Sequence, residues 1–266
     1  MLRVSGLTLS YDGGEPVLEG ASLEVGGGQF VSLVGPSGSG KSTILRAVMG
    51  LQRPSAGGIE LDGVGAAEIG ILFQDDALLP WRTARQNVAL GWRIRGRPKR
   101  EALDEAEAWL ARLGLAGFGD RYPRELSGGQ RKRVAIAQVL ALKPRLLLMD
   151  EPFASLDAIV RHRITEDLLG WVEREHLTVL LVTHDLEEAQ TLSDAVYLLS
   201  QGPRARIRRR YEIPIPRPRD LVRSRLHPSF GPLLERLWRD LSEEVGGVEA
   251  APRPARQEVA ARRRAS

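Results

Sequence analysis

A glycine-rich loop constrains this chain more than any other feature of its sequence. Residues Gly35 to Ser42 read G-P-S-G-S-G-K-S, which matches the pattern G-x-x-x-x-G-K-[ST]; the apolar run Phe30–Val34 precedes it, and helical spacing follows. Glycines let successive backbone N–H groups point into one concavity, and the following helix presents its positive end there. We therefore expect the segment Gly35–Thr43 to bind the phosphates of ATP, with Lys41 reaching the β- and γ-phosphates and Ser42 offering its hydroxyl to Mg²⁺.

A second pattern, further along the chain, supplies acidic groups. The apolar strand Leu146–Met149 ends in Asp150 and Glu151. Ligands of open α/β sheets bind at such strand ends, so Asp150 is a candidate for holding Mg²⁺ and Glu151 for orienting and deprotonating the attacking water. Two acids at this position can also cap the next helix. His184 ends the next apolar strand and is either a contact to the γ-phosphate or a structural histidine.

The periodicity predicts an α/β fold. Leu2 to Tyr11 alternate with period two, whereas later short apolar strands alternate with helices, as in a parallel sheet covered on both faces. We predict a P-loop NTPase core with a mixed β-sheet, an N-terminal antiparallel β-subdomain and an inserted α-helical subdomain. The predicted organisation is an ATPase domain over residues 1–219 with the helical subdomain at about 80–143, a helical extension over 220–245, and a disordered basic tail over 246–266.

Composition excludes several classes of function. The chain has no cysteine, which excludes a disulfide framework and a cysteine-ligated metal, and no apolar run approaches the length of a membrane span. Arginines are concentrated in residues 204–219 and again in residues 253–264. Such runs can contact nucleic acid or anionic lipid, or they can be a solvated strand face followed by a disordered tail. Because no aromatic residues alternate with the tail arginines to stack on bases, we favour the second interpretation.

A third motif suggests that the phosphate site of the first motif is shared between two chains. Leu126-Ser-Gly-Gly-Gln130 opens a helix, and a serine and two glycines at a helix start again suggest an anion site. One nucleotide does not need two such helix starts in one chain. Two chains that meet head to tail, each covering the other's ATP, do need them.

Over about residues 1–210 the sequence resembles the ATP-binding subunits of ABC transporters. The phosphate loop, Gln74 of the glutamine loop, the signature Leu126–Gln130, the acidic strand and His184 occur in that family's order. The resemblance implies that two ATPs lie between two subunits. It makes Glu151 the base, His184 the contact to the γ-phosphate and Gln74 a further catalytic residue, with Ser42 and Gln74 contacting Mg²⁺ and Asp150 supporting its hydration shell. The positions that it assigns to nucleotide contact are Tyr11, Gly35, Pro36, Ser37, Gly38, Ser39, Gly40, Lys41, Ser42, Thr43, Ser127, Gly128, Gly129, Gln130 and Asp157.

The stretch from Asp75 to Val88 resembles the nitrate, sulfonate and taurine importer branch of that family. Within it Leu78, Leu79 and Trp81 are apolar loop residues that either dock a partner or pack into the local core. The branch implies a second ATPase subunit, a transmembrane permease and an extracytoplasmic substrate-binding protein, with this chain peripheral at the cytoplasmic face of the membrane. An exporter subunit of the same fold and a soluble ATPase acting on nucleic acid are the alternatives. The chain lacks the long coiled-coil insertion and the second cassette of the soluble relatives, so a nucleic-acid partner is not expected.

Overall fold

The computed structural model describes residues 1–11, 14–154 and 156–246. Its strands are β1 Leu2–Ser10, β2 Pro16–Val25, β3 Phe30–Val34, β4 Ala56–Leu61, β5 Ile69–Leu72, β6 Leu146–Asp150, β7 Thr178–Val182, β8 Ala195–Leu199 and β9 Ile207–Glu212. Its helices are α1 Lys41–Val48, α2 Ala84–Val88, α3 Leu90–Ile94, α4 Lys99–Arg112, α5 Gly128–Leu140, α6 Ala158–Arg174, α7 Leu186–Leu192 and α8 Phe230–Glu244. The predicted disordered tail lies outside the described residues, except for Gly246.

The central sheet has six strands in the order β5-β6-β7-β3-β8-β9. Every neighbouring pair is parallel except β8 and β9, which are antiparallel. Strands β3, β7 and β8 are buried along their whole length, which is why their sequences are nearly continuous apolar runs. The prediction of an α/β fold with a mixed sheet is therefore confirmed.

The two faces of this sheet carry different helices. Leu146, Leu148 and Leu180 point to one face and share a core with α1. Leu147 and Met149, one residue out of phase, point to the other face and share a core with α4, α5 and α6. The helix after the glycine loop and the helix after Leu126 consequently pack on opposite faces of one sheet.

A separate antiparallel sheet in the order β2-β1-β4 adjoins the α1 side. Sequence periodicity does not predict β4, because its Gly57 and Gly58 are typical of a turn. The structure explains Gly57: its φ is +80°, and a Cβ there would lie 2.3 Å from the carbonyl oxygen of Gly6 in β1. Only glycine allows β4 to approach β1 this closely.

Helices α2 to α5 lie between β5 and β6 in the chain. The loop that precedes α2 is held by the buried side chain of Asn87, whose amide donates to the carbonyls of Leu79 at 3.2 Å and Arg82 at 3.0 Å, while its oxygen accepts from the Leu79 amide at 2.8 Å. Trp81, within this loop, has 71% of its surface exposed. Leu78 instead packs against the core, so it does not belong to an exposed docking surface.

The C-terminal part of the described chain packs on the outer strands. Helix α8 buries Phe230 and Leu237 against β8 and the strand β9. Two arginines of β9 are ion-paired to this helix, Arg208 to Glu244 at 2.6 Å and Arg209 to Asp240 at 2.7 Å. No helix in the described part of the chain combines the length and the apolar character that a membrane crossing requires.

Candidate nucleotide-binding site

The glycine loop connects β3 to α1 at the carboxyl edge of the parallel strands. Gly38 and Gly40 have φ values of +76° and +89°, and Gly40 is the N-cap of α1. A Cβ at Gly40 would lie 2.8 Å from Cγ1 of Val17, so this position requires glycine for space as well as for backbone conformation. The left-handed turns bring the loop's amides and the positive end of α1 to one place, which is the arrangement that binds phosphate.

Two side chains of the loop are candidates for binding an anion, and both are buried. Nζ of Lys41 donates to the carbonyls of Gly35 at 2.9 Å and Pro36 at 2.8 Å, and no carboxylate among the described residues lies within ion-pair distance of it. Burial lowers the pKa of Lys41, an effect that the nearby carboxylates of Glu151 and Asp150 oppose. Oγ of Ser39 is fully buried and has no hydrogen-bond partner in the structure. An ammonium that is bound only to carbonyl oxygens, with one N–H still free, and a hydroxyl without a partner fit an anion.

Ser42 and Asp150 meet across this edge. Oγ of Ser42 donates to Oδ1 of Asp150 at 2.9 Å. Burial raises the pKa of the Asp150 carboxyl, while the bond from Ser42 opposes that rise. No group of three His, Cys, Asp or Glu residues that could hold a metal occurs in the described ranges. One carboxylate and one hydroxyl fit Mg²⁺, which keeps several waters and takes substrate phosphates as further ligands.

Glu151 and His184 form a pair beside this edge. Nδ1 of His184 lies 3.0 Å from Oε2 of Glu151, and the Glu151 amide donates to the carbonyl of Val182 at 2.8 Å. Glu151 has a φ of +44°, which is uncommon for a residue other than glycine. Backbone strain of this kind is concentrated at functional sites, where surrounding structure compensates it. The alternative of a simple helix cap does not apply to Glu151, because Asp157 caps the next helix by accepting from the Val160 amide at 3.0 Å.

The remaining predicted contacts are distributed around the loop. The hydroxyl of Tyr11 lies 3.2 Å from Oγ1 of Thr43, which places this aromatic beside the start of α1. The side chain of Gln74 is exposed after β5 and makes no hydrogen bond among the described residues.

The structure does not join the Leu126–Gln130 motif to the phosphate loop of the same chain. Ser127 caps α5 in a reciprocal capping box: its Oγ accepts from the Gln130 amide at 3.3 Å, and the Gln130 side chain accepts from the Ser127 amide at 2.9 Å. No hydrogen bond or ion pair in the described part of the chain links residues 127–130 to residues 35–43. Gly129 lies against Val160, so the start of α5 and the start of α6 are neighbours.

One residue near this site, Lys132, has a role that the sequence patterns above do not predict. The Lys132 side chain, in α5, is 1% exposed, and its Nζ reaches the backbone of Phe73 and Gln74 and the carboxylate of Asp76. Its helical spacing to the buried Ile136 was a signal that this lysine faces the interior. Its partners belong to a loop 58 residues away in sequence, which no local pattern predicts.

The fold and this loop define a P-loop nucleotide-binding protein of the α/β class. A family model described as "ABC transporter" matches residues 18–154. The taurine import ATP-binding protein TauB of Yersinia pestis is 46% identical over 207 residues, which cover 76% of this chain and 81% of that protein. The chain belongs to the ABC transporter family.

Other relatives extend this comparison. The nitrate import ATP-binding protein NrtC of Synechococcus elongatus is 42% identical over 235 residues, 85% of this chain but only 35% of that protein, so the chain spans about a third of its length. Among solved structures, the dimeric ATP-binding cassette MJ0796 bound to ADP and Pi has a TM-score of 0.71 and 31% identity, covering 80% of this chain and 99% of that one. These matches agree with the resemblance in the sequence and with the fold.

Proposed function

We propose that this chain binds and hydrolyses MgATP as the energising subunit of an ABC importer. The observation that carries this proposal is the Glu151–His184 pair, at the sheet edge where the glycine loop and the Ser42–Asp150 pair also lie. This edge combines a phosphate cradle, ligands for Mg²⁺ and a carboxylate near the reacting end of a bound triphosphate. Each of the three is a requirement of phosphoryl transfer to water.

The chain's own residues take the following roles. The loop amides, Ser39 and Lys41 bind the phosphates, and Ser42, Gln74 and Asp150 hold Mg²⁺, which neutralises charge on the phosphate oxygens when bound. The Glu151 carboxylate accepts the proton of the attacking water, a contribution of roughly 10²–10⁴ in rate. The Glu151–His184 bond keeps the carboxylate oriented and places the imidazole where its other nitrogen can contact the γ-phosphate.

We further propose that the working site is shared by two copies of the chain. The residues from Ser127 to Gln130 make no contact with their own glycine loop, yet at this helix start the amides of Gly128 and Gly129 have no partner among the described residues, and the Ser127 hydroxyl, which accepts from Gln130, can still donate its proton. In a head-to-tail dimer they cover the partner's ATP, and Asp157 lies at the same interface through the contact of Gly129 with Val160. The dimeric state of the similar cassette MJ0796, bound to ADP and Pi, supports this arrangement.

The permease is proposed to contact the surface around Trp81. Asn87 fixes the backbone of this loop, so the exposed indole is presented on a rigid support rather than on a loose segment. A cavity of about 260 Å³ is lined by Ala77, four residues before Trp81, together with the apolar Phe73, Ile94 and Leu142. Exposed apolar surface of this kind is typical of a protein–protein interface. The proposed position of the chain is therefore peripheral, at the cytoplasmic face of the membrane.

The solute is proposed to be a small oxyanion-bearing molecule. The similar proteins are named for import of nitrate and taurine and for transport of bicarbonate, and each of these solutes carries an oxyanion group. In such a system a separate extracytoplasmic binding protein and the permease choose the solute. The names of the relatives favour import over the exporter alternative.

Nucleic acid is not a favoured partner. Every arginine of the cluster at 204–219 is ion-paired within the chain, and the pairs include Arg204 with Glu15, Arg206 with Glu19 and Arg217 with Asp194. The remaining pairs involve Arg208, Arg209, Arg210 and Arg219. A surface whose positive charges are already paired offers little to a phosphate backbone.

The test is Glu151→Gln, with Glu187→Gln as a matched control. The isosteric change removes the proton acceptor and keeps the fold, so we expect ATP affinity to persist, turnover to fall by roughly 10²-fold or more, and ATP to trap a dimer on size-exclusion chromatography. Glu187 is an exposed glutamate of α7, and its replacement should leave turnover near that of the wild type. Steady-state hydrolysis near the wild-type rate in Glu151→Gln would contradict the assignment of Glu151.

A further inference from the structure

The side chain of Lys132 joins two parts of the proposed machinery that the chain otherwise keeps apart. It lies in α5, five residues after Ser127, which is roughly 7.5 Å along the helix axis. Its ammonium donates to the carbonyl of Phe73 at 3.2 Å and to that of Gln74 at 3.0 Å, and it is ion-paired to Oδ1 of Asp76 at 3.0 Å. Its three donors are thus all used by one short loop that follows β5.

The burial of this ammonium argues against a space-filling role. The side chain is only 1% exposed, and lysine is almost never fully buried unless it is paired. An apolar side chain would fill the same space without the cost of desolvating a charge, and such replacements of buried ion pairs are often neutral or stabilising. The retained charge therefore points to the geometry that it fixes rather than to stability alone.

What this clamp fixes is the backbone of Gln74. The carbonyl of Gln74 is held while its side-chain amide stays exposed and without a partner among the described residues. Asp76 receives a second ion pair from the more exposed Arg131 at 3.4 Å, and the chain turns at Ala77 with a φ of +52°. The loop is therefore anchored to α5 on both sides of the point from which Gln74 projects.

We propose that Lys132 is a positioning residue that couples the glutamine loop, defined as residues 73–77, to the helix that carries Ser127. The inference rests on the proposed function, in which Gln74 serves the chain's own ATP and Ser127 serves the partner's. A shift of Gln74 on binding MgATP is then transmitted through Lys132 to α5, so that Ser127 reaches the partner's nucleotide only when the chain's own site is loaded. Coupling of this kind needs an element whose arrangement both sites bias, and the buried ion pair supplies that element.

The experiment compares Lys132→Met and Asp76→Asn with Lys143→Met. Lys143 lies three residues after the end of α5, and its exposed side chain makes no hydrogen bond or ion pair in the described part of the chain, so it controls for loss of charge. Each change is made alone and in the Glu151→Gln background. The measurements are ATP affinity by calorimetry, kcat and KM, the ATP concentration that drives dimerisation, and hydrogen exchange of the amides of residues 73–77.

We expect both clamp variants to keep the ATP affinity of the monomer, and their KM to rise only as far as dimerisation requires more ATP. We expect them to lose kcat and to need roughly tenfold more ATP for dimerisation, a typical size for coupling between sites. Exchange at residues 73–77 should become faster, and Lys143→Met should match its parent in every measurement. If Lys132→Met does not fold, Asp76→Asn decides, because it leaves the lysine and its two carbonyl bonds in place.

Two negative results have different meanings. If Glu151→Gln with an intact Lys132 forms no ATP-dependent dimer, the proposed function fails and the coupling fails with it. If that parent dimerises and both clamp variants dimerise at the same ATP concentration with unchanged kcat, only the role of Lys132 is overturned.

Discussion

At the scale of single residues, the phosphate cradle contains groups that the protein leaves unsatisfied. Among the described residues, the buried Oγ of Ser39 has no hydrogen-bond partner, and the ammonium of Lys41 reaches only carbonyl oxygens of its own loop. Burying a polar group without a partner costs roughly 1–3 kcal/mol. An anion that accepts hydrogen bonds from these groups removes this penalty, so the penalty favours anion binding.

Ser39→Ala tests this balance. Removing the unpaired hydroxyl should leave the stability of the nucleotide-free protein unchanged or raise it by about 1 kcal/mol. The same change should weaken ATP binding roughly tenfold, because a hydrogen bond to a charged acceptor contributes about 1.5–3 kcal/mol. Urea unfolding without nucleotide and calorimetric titration with MgATP measure the two effects. A loss of stability with unchanged affinity would mean that the hydroxyl serves the fold and not the ligand.

At the scale of elements, α7 carries an ionisable group whose environment opposes its charge. Glu188 is partly buried at the start of this helix, and burial raises its pKa to about 7, whereas its bond with Thr183 lowers it. Asp185 also raises this pKa, and Arg161 and His184 lower it. Between pH 4.5 and about pH 7, Glu188 is therefore protonated in the folded chain and ionised in the unfolded chain. The contribution of Glu188 to stability is consequently lost as the pH rises through this window.

Glu188→Gln should remove this pH dependence. At pH 4, below the ordinary pKa of 4.5, the two proteins should unfold at similar urea concentrations, because Glu188 is then largely protonated in both the folded and the unfolded state. At pH 8 the glutamine variant should be more stable, by no more than about 3 kcal/mol for a shift of this size. Unfolding curves of both proteins across this range measure the difference. Parallel pH profiles would show that Glu188 is solvated well enough to ionise freely.

The strands and helices differ in whether they can be predicted from the sequence. Strands β3, β6 and β7 and the glycine loop were predictable, since buried parallel strands are apolar runs and the loop has a fixed spacing. Strand β4 was not, because the reason for Gly57 is a close approach to β1 that exists only in the folded chain. Helix α7 is only seven residues long and was also missed. The partners of Lys132 were hidden for the same reason as Gly57: they come together through tertiary packing.

At the scale of the whole molecule, α1 and α5 lie on opposite faces of the sheet, so one chain cannot bring both helix starts to one nucleotide. The proposed head-to-tail dimer would solve this with two composite sites, each made from the glycine loop of one chain and the Ser127 region of the other. The same geometry places Glu151 in the half that contains its own chain's Lys41. This division of residues between halves is testable by mixing inactive chains.

Lys41→Ala and Ser127→Arg should each abolish hydrolysis in a pure dimer, because every composite site then contains one defect. In an equal mixture, half of the dimers combine one chain of each kind, and one of the two sites in such a dimer is intact. Activity should therefore return to about a quarter of wild type if the sites act independently.

The matched control mixes Lys41→Ala with Glu151→Gln. Those two changes fall in the same half of the site, so each site of the mixed dimer keeps one defect and no activity should return. ATP hydrolysis in the two mixtures, at equal total protein, measures the difference. Equal activities in both would exclude the shared site, because a site contained in one chain cannot be rescued by mixing.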